Sequence, residues 1–345
     1  MTAMDCQRMA SDKGLWYLEN LVCPIDRTGL RFDGERLRSK NGRCYPIVDG
    51  VPVLLVSSGK QTIGLANASI ERAQGRSDVI DQRARELYLE SLGLNDEEKA
   101  EVARLWKGKL TAIDPVVAMI IGATCGNAYK DLTKKLSLTE YPIPSIRLTS
   151  ASTGDALLDI GCNWGRWSIA AAKKGFSAVG IDPSLGAIMA ARRIADELKP
   201  DIKYLVADAR FLPFRNERFR AVYSYSVLQH FAKEDVRRTL LEVSRVLEPG
   251  AVAKIQMANK LAFAAFNSKQ AGNRTSPKNL RFAIGRSVGV LSGHRQHADL
   301  RGLLLRTWLA MVGFPLHRAE IQACAYCLGG VETIERCYCA DAIDG

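Results

Sequence analysis

Between residues 154 and 258, short apolar runs alternate with longer amphipathic stretches. Ala156–Ile160 (ALLDI) is an apolar run stopped by Gly161, which reads as a buried strand. A loop follows at Gly161–Gly165, then a helix over 166–174. Residues 177–181 form a second apolar run ending at Asp182, and a helix is expected over Leu185–Leu198. A third run, 203–206, leads into Ala207-Asp208-Ala209, and a fourth covers 220–224. A helix over 235–247, the turn Glu248-Pro249-Gly250 and a strand over 252–257 complete the pattern. Strands alternating with helices predict an α/β fold, a parallel sheet covered by helices on both faces.

The rest of the chain divides around this core. Residues 17–56 carry Cys23-Pro24, Gly34, Gly42, Asp49-Gly50 and Pro52 between short apolar runs, which predicts a small β module. Residues 57–153 read as a mostly helical leader, with helices over 80–92, from Asp96 to Leu110, and over 115–121. Residues 259–345 form an atypical tail. Two readings stand for it: a last helix over 304–314 leading into a sixth strand, or a shifted reading frame beginning between Lys260 and Leu303. The second predicts a poorly packed tail.

In open parallel sheets, ligands sit beyond the carboxyl ends of the strands, so candidate chemistry is sought there. Gly161 and Gly165 lack side chains and let a ligand approach the loop backbone, and the next helix begins with free N–H groups. Asp182 follows Asp159 by a strand–helix–strand interval, the spacing at which a carboxylate accepts from a ribose hydroxyl pair. Asp208, ending the third strand, is a candidate acceptor for an adenine amino group. These strand ends converge on a nucleoside-shaped ligand. A dinucleotide fingerprint needs G-x-G-x-x-G, and Asn163 and Arg166 stand where two of its glycines belong.

The run Asp159-Ile160-Gly161-Cys162-Asn163-Trp164-Gly165 resembles motif I of the class I S-adenosylmethionine-dependent methyltransferases, with Asn163 at the middle glycine. Asp182, the Asp208-Ala209 pair, Leu212 to Phe214, the SYSVLQHF segment from Ser224 and the RVLEPGA segment match that family in order. The resemblance is to its small-molecule branch, which includes the ubiquinone and menaquinone methyltransferases. It implies a Rossmann-like sheet, S-adenosyl-L-methionine as cofactor, and a binding set of Asp159, Gly161, Cys162, Asn163, Gly165, Asp182, Asp208, Ala209 and Ser224. It further implies in-line displacement of the sulfonium methyl by an O, N or C nucleophile. His230, just after the fourth strand, is the candidate general base. Cys162 is read as a small apolar residue and Trp164 as loop packing. Ser224-Tyr225-Ser226-Val227 has no proline, unlike the Asn/Asp-Pro-Pro segment of nucleic-acid amino methyltransferases. A small-molecule or lipid-like acceptor is therefore expected, with RNA as an alternative. An inactive methyltransferase-fold binding protein is the reading that follows from a shifted frame.

In the module, Leu21 to Pro24 and the Cys44-Tyr45-Pro46-Ile47-Val48-Asp49-Gly50-Val51-Pro52 run resemble the zinc-ribbon-like activator subunit of tRNA methyltransferases. Asp26 stands where a second cysteine would complete the first pair, and Cys44 is alone. Two thiols do not close a tetrahedral site, so no metal is expected. The module is expected to dock on the core or to cover substrate. The leader resembles the segment ahead of motif I in bacterial methyltransferases of unassigned substrate, which places Tyr129 and Lys130 as candidates to face the acceptor.

Composition adds limits. The chain has 345 residues, 47% hydrophobic and 25% charged, as in globular proteins. No apolar stretch is long enough to span a membrane, and the polar first residues lack a signal core, so a cytoplasmic protein is expected. The net charge is +11, and residues 259–345 hold 11 Lys and Arg against 6 Asp and Glu. No dense basic run marks a dedicated nucleic-acid patch. Nine cysteines at these spacings, including Cys324-x-x-Cys327 and Cys337-x-Cys339, match neither a disulfide framework nor a standard metal site.

Overall fold

The computed structural model describes residues 12–57, 60, 61, 63–74, isolated positions between 97 and 148, 152–256 and 319–323. A first helix, α1 (Asp12–Asn20), leads into an antiparallel sheet of four short strands: β1 (Leu30–Phe32), β2 (Arg36–Ser39), β3 (Cys44–Val48) and β4 (Val51–Pro52). Helix α2 (Gly64–Gln74) follows. The core is β5 (Ala156–Ile160), α3 (Arg166–Lys173), β6 (Ser177–Asp182), α4 (Leu185–Leu198), β7 (Ile202–Val206), β8 (Phe219–Tyr225), α5 (Lys233–Val246) and β9 (Leu247–Gln256), with β10 at Ala319–Ala323.

The core sheet runs β10-β9-β8-β5-β6-β7, and every neighbouring pair is parallel. Order reverses at β5, so the crevice beyond β5, β6 and β8 is the topological switch point. Period-two alternation sends successive side chains to opposite faces. Leu157, Ala178, Tyr204, Ala221 and Val252 pack with Ile169, Ile188 and Ile194 of α3 and α4. Leu158, Val179, Leu205, Val222 and Ala253 pack with Val236, Leu240 and Val243 of α5. The buried strands are apolar on both faces for this reason.

One boundary differs from the sequence expectation. Glu248-Pro249-Gly250 does not separate a helix from a strand: β9 begins at Leu247, and the three residues bulge within it. Leu247 pairs with Phe219 and Val252 with Ala221, so the bulged stretch of β9 spans a two-residue step on β8. Helix α1, strands β1 and β2 and helix α2 carry weaker periodicity and were not separately legible. Of the leader helices, Pro115, Val117, Ala118 and Ile120 are helical. The expected helix over 80–92 and the candidates Tyr129 and Lys130 lie outside the described residues. So does the tail apart from β10, which pairs with β9 as a sixth strand.

The N-terminal module is seated on the core along a long seam. Val53 bridges Val206 in parallel, and the Leu54 N–H donates to the Val206 carbonyl at 2.8 Å. Val53 and Leu55 join the core on the α3–α4 face while Leu54 joins it on the α5 face, so this apolar run extends the sheet past β7 and covers its edge. Tyr17 donates its hydroxyl to the Tyr204 carbonyl at 2.8 Å, and Leu21 bridges Phe214. Arg27 pairs with Glu242 at 2.8 Å. The Cys23 sulfur lies 3.0 Å from the Tyr45 hydroxyl, and the Asp26 carboxylate accepts from Thr28 and Ser39. Burial would raise the Asp26 carboxyl, but the Thr28 hydrogen bonds outweigh it and hold it well below the usual range. Among the described residues no three His, Cys, Asp or Glu are grouped to hold a metal, and no helix is long and apolar enough to cross a membrane.

Candidate functional site

A cavity of about 430 Å³ opens beyond the carboxyl ends of β5, β6, β7 and β8, within the roughly 300–1,000 Å³ of small-molecule sites. Gly161, Cys162, Asn163, Asp182, Asp208, Ala209 and His230, all picked from the sequence, line it.

The loop after β5 is held from within. Gly161 and Cys162 both donate their N–H to the Ile181 carbonyl at 2.9 Å, Asn163 to Asp182 Oδ2 at 3.1 Å, Trp164 to Asn163 Oδ1 at 2.7 Å, and Gly165 to the Cys162 carbonyl at 2.8 Å. All five N–H groups are engaged inside the protein, so the loop meets a ligand with carbonyl oxygens rather than donors. Gly161 has φ +71°, and a Cβ there would lie 2.3 Å from Val227 Cγ2; glycine lets the strand-four segment close against the loop. Gly165, at φ +86°, is not in the cavity wall. It begins α3, and a Cβ on it would lie 2.4 Å from the Tyr204 hydroxyl.

Asp182 is 9% exposed. Its Oδ2 accepts from Asn163 and its Oδ1 from Ser184 at 2.9 Å, so each oxygen keeps a lone pair for a ligand. Burial raises its pKa to about 6, against the pull of those two backbone donors. Ser184 caps α4 by accepting from the Ala187 N–H at 3.2 Å, and the Leu185 N–H donates to Ser69 of α2 at 2.8 Å. The leader thereby anchors the helix behind the site, and its Ile63 lines the cavity.

Asp159 and Ser224 lie outside the cavity wall, and Asp208 reaches it already paired. Asp159 points into the α3 face, where Ser168 Oγ donates to it at 2.7 Å; burial raises its pKa to about 7. Ser224 is buried at 2% exposure and is likewise absent from the cavity wall. Both stand near strand ends, but pleat alternation turns Asp159, with Leu157, to the α3 face and Ser224, with Val222, to the α5 face rather than into the crevice. Asp208 does reach the cavity, yet Arg210 occupies its carboxylate: Nε lies 3.1 Å from Oδ1 and 3.0 Å from Oδ2, Nη2 lies 2.6 Å from Oδ2, and the Arg210 N–H donates to Oδ1 at 2.8 Å. Arg210 also binds Asp235 at 3.0 Å and the Lys60 carbonyl at 2.8 Å. Asp208 thus fixes the wall after β7 instead of offering a free acceptor. Cys162 is buried, which pushes its thiol well above the ordinary range. Trp164, 2% exposed, packs 6.3 Å from the Tyr141 ring.

The far wall holds residues that sequence reasoning did not single out. Trp167 stacks on Tyr225 at 5.2 Å and on Tyr223 at 4.6 Å, and the Arg166 guanidinium lies 5.0 Å over the Tyr225 ring. Ser226, at φ +59°, donates its hydroxyl to Gln256 Oε1 at 2.8 Å. His230 is exposed at the rim in a short 3₁₀ turn, beside Phe231. Two aromatics flanking the loop and the strand end were the available signal for this wall.

A family model described as a methyltransferase domain matches residues 157–250. The ubiquinone biosynthesis O-methyltransferase of Azorhizobium caulinodans is 33% identical over 107 residues, 31% of this chain and 42% of that protein. A UPF0434 protein of Cereibacter sphaeroides is 47% identical over 47 residues, 13% of this chain and 80% of that protein. A crystal structure of an S-adenosylmethionine-dependent methyltransferase from Methanosarcina mazei aligns with a TM-score of 0.30 and 29% identity, over 31% of this chain and 57% of that one. The chain thus spans about half the length of the methyltransferases it matches.

Proposed function

The chain belongs to the UPF0434 family through its N-terminal segment and carries a class I S-adenosylmethionine-dependent methyltransferase domain, and from that premise we propose that it transfers a methyl group from S-adenosyl-L-methionine to a small-molecule or lipid-like acceptor. The observation that carries this reading is Asp182, a buried carboxylate at a strand end whose two oxygens each keep a lone pair beside the 430 Å³ cavity. It is built to accept from the two hydroxyls of a ribose.

The remaining residues fit the same cofactor. The close seating of Val227 on Gly161 leaves no room for a Cβ, and the inward-turned N–H groups leave the loop offering carbonyl oxygens, which suit the ammonium of a methionyl group. Ala207 to Ala209, fixed by the Asp208–Arg210 pair, form a wall for a flat base. When bound, the cofactor supplies a methyl group on a sulfonium, a strong electrophile that needs no covalent help from the protein. The residues of this chain hold and align. Placing an acceptor in line with that methyl is worth about 7–11 kcal/mol when the geometry is tight. His230, at the rim beside Ser226 and Phe231, is positioned to take the proton of an acceptor hydroxyl or amine as general base. An acceptor that is already anionic would not call on it. Trp167, Tyr225 and Phe231 give the acceptor side an aromatic surface, which suits an apolar or planar substrate.

The test is calorimetric titration of S-adenosyl-L-methionine into the full chain and into Asp182→Ala. Micromolar binding by the wild type, weakened by about two orders of magnitude or more in the variant, is expected from losing two hydrogen bonds to a charged acceptor at about 1.5–3 kcal/mol each. No binding by the folded wild type overturns the reading.

A further inference from the structure

The module and the core border a second, solvent-open cleft, of about 320 Å³, at the amino ends of β8 and β9, with Arg215 exposed at its edge. It lies on the side of the sheet away from the first. Arg27 of the module and Arg215 and Arg245 of the core line it. One carboxylate, Glu242, serves this group: it lies 2.8 Å from Arg27 Nη2 and 2.8 Å from Arg245 Nη2. Three guanidiniums against one carboxylate leave the cleft with an excess of two positive charges.

The donors divide unequally. Arg245 is fully used, binding Glu242 through Nε and Nη2, the Leu212 carbonyl through Nη2, and the Phe214 carbonyl and Asn216 Oδ1 through Nη1. Arg27 gives Nη1 to the Leu212 carbonyl and Nη2 to Glu242, and its Nε has no partner among the described residues. Arg215 gives only Nε, to the Glu19 carbonyl at 2.9 Å, which leaves Nη1 and Nη2. Arg27 is also electrostatically uncomfortable: burial pulls its pKa below the ordinary value, and the charge of Arg245 adds to that pull against Glu242. A bound anion would offset the repulsion between Arg27 and Arg245.

We propose that this cleft is a binding site for phosphate groups, held by the fork of Arg215 and the free edge of Arg27. Planar guanidinium forks match tetrahedral oxyanions through paired, charge-assisted hydrogen bonds. Because Arg27 comes from the module and Arg215 from the core, the bound group bridges the two. The phosphate of a phosphorylated metabolite and the phosphodiester of an RNA strand share this chemistry.

The site is independent of the methyl-transfer cavity, so its test does not depend on cofactor binding. Inorganic phosphate is titrated into the full chain by calorimetry, with chloride holding ionic strength constant. Arg215→Gln is compared with the wild type and with Arg36→Gln, an exposed arginine of the β2 hairpin. Kosmotropic anions stabilise any protein nonspecifically, so the difference between variants is the readout. The expected result is at least a tenfold loss of phosphate affinity in Arg215→Gln, none in Arg36→Gln, and an intermediate loss in Arg215→Lys, which keeps the charge without the fork. Circular dichroism checks folding, and Arg215→Lys carries the test if the glutamine variant fails to fold. A second arm follows a labelled single-stranded RNA by fluorescence anisotropy. RNA binding that is lost in Arg215→Gln and falls steeply with salt assigns the phosphate to nucleic acid. Phosphate binding without RNA binding assigns it to a small ligand. Absence of phosphate binding by the wild type, or equal binding by the wild type and both Arg215 variants, overturns the proposal.

Discussion

Asp182 Oδ2 accepts the backbone N–H of Asn163 at 3.1 Å, which ties the end of β6 to the loop after β5. The carboxylate proposed to hold the ribose therefore also sets the shape of the loop that borders it. Asn163, at φ +51°, stands in the left-handed region that asparagine tolerates better than most residues, and its own Oδ1 accepts from Trp164.

This arrangement makes cofactor binding pH-dependent. With a pKa raised to about 6 by burial, Asp182 is ionised at pH 7.5 and accepts both hydroxyls, whereas protonation converts one oxygen to a donor. Affinity for S-adenosyl-L-methionine is expected to be flat above pH 7 and to fall by up to tenfold per unit below about 6. Calorimetry from pH 5 to 8 checks this, and Asp182→Asn should bind weakly at every pH without that slope.

Asp159 gives a stability effect of defined sign. Its folded pKa of about 7 lies above the ordinary value near 3.9. Its charge thus costs stability above pH 7; the cost is relieved as pH falls through 7 and is gone below about 4. Asp159→Asn keeps an acceptor for Ser168 and removes the charge. Its melting temperature is expected to exceed the wild type's at pH 8, by about 2–4 °C for each kcal/mol relieved, and the gap should close towards pH 5. Calorimetric melts at the two pH values decide it.

Gly161→Ala should be costly for two separable reasons. The left-handed backbone disfavours any Cβ, and this one meets Val227. A loss of about 1–3 kcal/mol is expected from the strain alone, more with the clash. Gly161→Ala/Val227→Ala should recover the clash but not the strain, as read by urea unfolding.

Arg210→Ala would leave the Asp208 carboxylate buried without its cation, a change that typically costs about 3–5 kcal/mol. Adding Asp208→Asn should recover a large part of it, because the two residues act as one unit. Denaturant midpoints of the two single variants and the double measure the coupling.

The strands and helices of the core are legible because each strand is buried on both faces, and α3 and α4 each follow a run ended by glycine or a carboxylate. Asp182 and the glycine loop were legible for the same reason: each follows directly from a strand end. That Ser224 and Asp159 lie outside the cavity wall is not legible, since a strand end gives position along the sheet but not the side to which the pleat turns a side chain. The pairing of Asp208 with Arg210 is not legible, because Arg210, two residues on, reaches back across a 3₁₀ turn that hydropathy does not mark. The Arg27–Glu242 pair and the Tyr17–Tyr204 hydrogen bond join positions far apart in sequence, which local patterning does not record.

The edge pairing of Leu54 with Val206 has a consequence for how the chain is made. The apolar run Val51 to Val56 leaves the ribosome first, while the strand that receives it is completed roughly 150 residues later. At about 5–20 residues per second, that run waits on the order of ten to thirty seconds with an unpaired edge and no core to cover it. The module is thus built first and seated late, and the interval favours mispairing between nascent chains on neighbouring ribosomes. A separately encoded module would instead meet a finished edge, by diffusion and at the mercy of concentration.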